Sequence, residues 1–133
     1  GYKTRLEFIE YYLKTKINTP SLVIIDGIAD LVSDVNSLEE SNAVVQKLME
    51  WSAKYNCHII NVIHQNYGSA KMTGHLGSFL EKKCETHIEL EANTVNKEWV
   101  TVKCKRSRGY AFETFSFQVN DLGLPTIVGN LYD

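Results

Sequence analysis

Cysteine is scarce in this sequence and unpaired: Cys57, Cys84 and Cys104 lie far apart and form no Cys-x-x-Cys pair. An odd, dispersed set argues against a disulfide framework and a structural zinc site, and it fits a reducing cytoplasm. Long apolar runs are lacking too. No stretch reaches the roughly eighteen residues of a membrane-spanning helix, and Tyr2 to Lys16 is too polar and charged for a secretory leader. Nor does one sign of charge dominate, since 14 basic and 16 acidic side chains leave a net charge of −2. Nucleic-acid binding would therefore have to come from a local patch. Internal repeats, low-complexity tracts and interdomain linkers are missing as well. What remains is 133 residues, 44% hydrophobic and 23% charged. That is an ordinary globular composition, read as one domain over 1–133.

The periodicity predicts an α/β chain. Thr4-Arg5-Leu6-Glu7 has the form of a capping box, and Leu6, Ile9, Leu13 and Ile17 follow at helical spacing. Leu22-Val23-Ile24-Ile25 is a short apolar, β-branched run, as expected of a parallel strand covered on both faces. Ser37-Leu38-Glu39-Glu40 is a second capping box, opening a helix whose apolar face is Val44, Val45, Leu48, Met49 and Tyr55. Cys57 to Ile63 is a second buried strand, which completes a right-handed parallel βαβ unit. Residues 66–77 hold three glycines and no periodicity, predicting a loop, with a short helix opening at Ser78. Thr86, Ile88 and Leu90 alternate with His87, Glu89 and Glu91, predicting a strand with one wetter face. Residues 100–105 and 114–119 alternate in the same way and predict an antiparallel hairpin.

Asp26 follows the first apolar run. Ligands of open α/β sheets gather at the carboxyl ends of strands, and a carboxylate there can hold the water shell of Mg²⁺. The other reading of Asp26 is a turn-capping carboxylate. His64 and Gln65 leave the next strand at the same edge, where they could sense a terminal phosphate or orient a water, or simply begin the loop. Asp30 is either a supporting carboxylate or an exposed one. Trp51 and Trp99 fit core or interface positions.

Together these features resemble a known family. Ser21-Leu22-Val23-Ile24-Ile25-Asp26-Gly27 looks like a Walker B motif. The helix from Ser37 and the run from His58 to Gln65 resemble the next helix and sensor strand of RecA-like ATPases, in the flavour of DnaB/RepA-like helicases and mobile-element ATPases. Tyr67 to Glu81 resembles their loop before the fifth core strand, Thr86 to Glu91 that strand, and Val102 to Phe117 the terminal hairpin. The resemblance implies a partial RecA-like parallel sheet with flanking helices and a C-terminal antiparallel hairpin. It implies Asp26 as the carboxylate acting on Mg²⁺ beside ATP, and Gln65 with His64 as the γ-phosphate sensor. It implies a channel loop whose Lys71 and His75 meet single-stranded DNA. The basic cluster Lys103, Lys105, Arg106 and Arg108 would then either contact DNA or, through Arg106 and Arg108, reach a neighbouring subunit's nucleotide in a homo-oligomer.

The phosphate-binding half of such a site is not in these residues. No G-x-x-x-x-G-K-[S/T] occurs, so there is no backbone cradle for phosphates. The expectation is a C-terminal part that needs the N-terminal half of its own ATPase domain and is inactive in hydrolysis by itself. The phosphate-loop strand would separate the sensor strand from the run 86–91. Without it, those two strands are expected either to pair directly or to recruit another chain. The competing expectation is a non-enzymatic module that binds nucleic acid or a partner through 103–108 and 66–77. A third, a different Mg²⁺ enzyme using Asp26 and Asp30, lacks a second carboxylate cluster.

Overall fold

A computed structural model describes residues 1–15, 18, 20–65 and 73–129. They form two compact units, Gly1–Lys83 and Cys84–Asp133. The first holds α1 (Tyr2–Thr15), β1 (Leu22–Asp26), a 3₁₀ turn (Ile28–Leu31), α2 (Leu38–Lys54), β2 (His58–Val62) and α3 (Gly74–Lys83). The second holds β3 (Thr86–Ala92), β4 (Trp99–Ser107), β5 (Phe115–Val119) and β6 (Pro125–Val128).

In the first unit β1 and β2 pair in parallel, Leu22 opposite His58 through Asp26 opposite Val62. The link through α2 makes the predicted βαβ unit. Ser37 caps α2 as predicted, its Oγ accepting from the Glu40 N–H at 3.3 Å. The Glu40 carboxylate does not return to Ser37, however. It accepts from the Ser33 N–H at 2.7 Å and from the Tyr2 hydroxyl at 2.9 Å. That contact ties the first turn of α1 to α2. It explains why α1 begins at Tyr2 and runs through Thr4, which is not its cap. Arg5–Asp30 and Glu10–Lys47 ion pairs continue the attachment.

The core of this unit gathers Leu13, Ile28, Leu31, Val44, Val45, Leu48, Trp51, Leu76 and Leu80. Trp51 is wholly buried, a burial that stabilises by about 2–3 kcal/mol. Met49, expected on the apolar face of α2, is exposed instead, because Trp51 fills the inward position.

α3 starts at Gly74, four residues before the expected Ser78. The Leu76 N–H donates to the Val35 carbonyl at 3.1 Å and the Gly77 N–H to Thr73 at 3.0 Å. Gly74 has φ of +66°, and a Cβ there would lie 2.5 Å from the Val35 oxygen. Gly74, one of the glycines that suggest a loop, thus serves a close approach of helix and backbone.

The second unit is a four-stranded antiparallel sheet in the order β3-β4-β5-β6, larger than the predicted hairpin. β3 belongs here and does not pair with β2, so the expected direct pairing of those two strands does not occur. β3 and β2 each keep an edge without a strand partner among the described residues.

Both sheets leave apolar side chains in water. On β1 and β2, Val23, Ile25 and Ile59 pack against the helical core. Leu22, Ile24, Ile60 and Val62 are exposed on the other face, Ile24 by 61%. The expectation of cover on both faces is therefore met on one. On β3 the alternation is inverted. Ile88 and Leu90 are exposed, Leu90 by 60%, while Glu89 on the charged face is only 6% exposed. The register puts Ile88, Leu90, Val100, Val102, Phe115, Phe117 and Ile127 on one apolar face.

Candidate functional site

Parallel pairing fixes the geometry of the Asp26 edge. Asp26 is the last residue of β1, and its partner Val62 is the last of β2. His64 and Gln65 follow Val62 after one residue, Ile63, so the three polar residues lie at the carboxyl edge of the pair. Asp26, His64 and Gln65 are each exposed. Gly27 then turns the chain with φ of +87°, a left-handed conformation that glycine adopts without strain. It leads into the 3₁₀ turn with the Asp30 N–H donating to Gly27. Asp30 is held by Arg5, at 3.4 Å between side chains and 3.0 Å from the guanidinium to its carbonyl. That pairing links the 3₁₀ turn to α1.

Thr73, which sequence reasoning did not single out, bonds back to the residues after β2. Its Oγ donates to the His64 carbonyl at 2.8 Å and its N–H to the same oxygen at 3.3 Å. The end of the strand is thereby joined to the start of α3. No spacing signal marks this contact, because it spans a segment without periodicity. Lys71, expected to face DNA, lies outside the described residues, as does 66–72. His75 is described: it is exposed in the first turn of α3, so it belongs to a helix and not to a loop.

The basic cluster belongs to the second unit. Lys105 pairs with Glu89 at 3.1 Å and Lys103 pairs with Glu91, which holds the Lys103 ammonium above its ordinary pKa range. A bulge between His87 and Ile88 makes Lys105 the extra residue on β4 and brings Arg106 opposite His87. Arg106 therefore shares the face of Lys103, where strict alternation would give it the face of Cys104. The Arg108 N–H donates to the Glu85 carbonyl at 2.9 Å. Both arginines are exposed.

An exposed carboxylate at the end of a parallel strand fits Mg²⁺, which keeps several waters and takes few protein ligands. The polyphosphate of ATP does not fit: its loop of backbone amides and its lysine are not among these residues. No group of three or more metal-ligating side chains occurs among the described residues. No described helix is long and apolar enough to cross a membrane.

No protein-family model matches the chain, and no curated protein shows significant similarity to it. The described residues are mixed α/β, with a two-stranded parallel and a four-stranded antiparallel sheet.

Proposed function

We propose that this chain is the C-terminal part of a RecA-like ATP-binding motor domain serving DNA replication or mobile-element mobilisation, and that it does not hydrolyse ATP by itself. The parallel register of Asp26 with Val62 carries this reading, because it brings a carboxylate and a sensor-like His64-Gln65 to one sheet edge. Asp26 orients the water shell of Mg²⁺. Gln65, with His64, would face the terminal phosphate of an ATP held by the missing half, and the Thr73 bond to the His64 carbonyl joins that end of the strand to α3. Arg106 and Arg108 serve a neighbouring subunit of a homo-oligomer, and the segment with Lys71 and His75 meets single-stranded DNA.

Two observations support a missing half. The open apolar faces around Ile24 and Leu90 are of the kind that a further layer covers. The unpaired edges of β2 and β3 are each of the kind that takes a further strand. The coding sequence upstream of Gly1 tests the proposal. It should encode a strand followed by G-x-x-x-x-G-K-[S/T], and the protein carrying both parts should bind Mg·ATP. A start codon at this point, with no such loop elsewhere in the product, overturns it.

A further inference from the structure

The outward face of α1 is used neither by the core nor by the nucleotide site. Leu6, Ile9 and Leu13 turn the other side of the helix to the core. Thr4, Phe8, Tyr11 and Thr15 run along the outward side and are all exposed, Phe8 by 66% and Tyr11 by 65%. Two adjoining rings in water make a patch, unlike an apolar side chain scattered singly. The steps between these four positions are of four, three and four residues, the spacing of a seam along which two helices pack. Glu7 and Lys14 flank the seam on one side, two turns apart and both exposed. Neither enters an ion pair among the described residues, and Glu10, one turn before Lys14, is held by Lys47 at 2.9 Å.

A second α1 laid antiparallel along this seam matches it position by position. With Phe8 of one copy opposite Tyr11 of the other, Thr4 falls opposite Thr15, and a two-fold axis repeats both layers. The same alignment brings Glu7 of each copy beside Lys14 of the other. A parallel pair would instead set Glu7 level with Glu7 and Lys14 level with Lys14. Charges that flank a helix seam choose partner and direction, and a two-fold contact has to be complementary to itself. We propose that the outward face of α1 is an isologous contact with a second copy of this chain, an antiparallel helix pair in which Phe8 packs on Tyr11 and Glu7 pairs with Lys14. It is a different contact from the one given to Arg106 and Arg108. A subunit that reaches into its neighbour's nucleotide repeats head to tail, whereas this pair closes on itself. One helix pair covers less area than a standard interface, so the dimer is weak and reversible.

Sedimentation equilibrium of the full chain across a range of concentrations tests it. Glu7→Lys and Lys14→Glu each set like charges together at both ends of the pair and should weaken association about 5- to 30-fold. Making both changes in one chain should restore it. An equimolar mixture of the two single variants should also associate as the wild type does, because each then supplies the charge the other lacks. Such recovery cannot come from a misfolded variant. Phe8→Ala should weaken association about 5-fold or more. The proposal is overturned if the wild type stays monomeric, or if neither the double variant nor the mixture recovers. It is also overturned if the wild type associates and Glu7→Lys, Lys14→Glu and Phe8→Ala all associate equally well, which would assign the association to the open sheet faces.

Discussion

Asp26 and Val62 are register partners at the ends of two parallel strands, so the chain leaves both strands at one edge. Everything proposed about the nucleotide site follows from that pairing. A one-residue shift of either strand would turn its side chains to the opposite face and change how Asp26 lies relative to His64 and Gln65.

Gly74 should tolerate no side chain. Its Cβ would sit 2.5 Å from the Val35 oxygen and its φ is +66°. Gly74→Ala is expected to destabilise the first unit by about 2–4 kcal/mol, seen as a lower urea midpoint with unchanged slope. An unchanged midpoint would mean that α3 does not start as described.

Acid should loosen α1. Hydrogen bonds from the Ser33 hydroxyl, then its N–H, and from Tyr2 hold the Glu40 carboxyl below its ordinary range, and Lys47 does the same for Glu10. A folded pKa below the unfolded one gives stability that is present above about pH 4.3 and lost as pH falls through the folded value. Urea midpoints between neutral pH and pH 3 should therefore fall less steeply for Glu40→Gln than for the wild type. Parallel curves would remove Glu40 from this role.

The Glu89–Lys105 pair should be asymmetric. Glu89 is buried, whereas the Lys105 side chain is 40% exposed. Lys105→Met, which removes one cationic partner of a buried carboxylate, is expected to cost about 1–3 kcal/mol, and adding Glu89→Gln should recover part of it. Strictly additive losses in the double-mutant cycle would show that the two charges do not depend on each other.

The open apolar faces predict self-association. The chain alone should sediment as more than monomer as concentration rises, and Ile24→Lys with Leu90→Lys should shift it toward monomer. A strict monomer at all concentrations would argue against a missing covering layer.

Much of the first unit was legible in the sequence because its signals are local. The apolar run 22–25, the Ser37 cap and the apolar strand from His58 each announce themselves within a few residues. The start of α3 was not legible, because Gly74 is required by a contact with Val35 far back in the chain. The partner of Glu40 was hidden for the same reason: the capping pattern points to Ser37, while Ser33 and Tyr2 take the carboxylate. On β3 the alternation was visible, but which face would be covered was not. The pairing of Glu89 and Glu91 with lysines of β4 decides that, and a bulge at Lys105 redirects Arg106. At the site, Asp26, His64 and Gln65 could be named from the order of strands, whereas Thr73 carries no sequence signal.

ATP turnover tests the central claim most directly. In the longest product of the coding sequence, with Mg²⁺ present, Asp26→Ala should lower turnover by about 100-fold or more, the loss expected on removing a metal-orienting carboxylate, and the 133-residue chain alone should show none. Wild-type turnover by the Asp26→Ala protein would contradict the account.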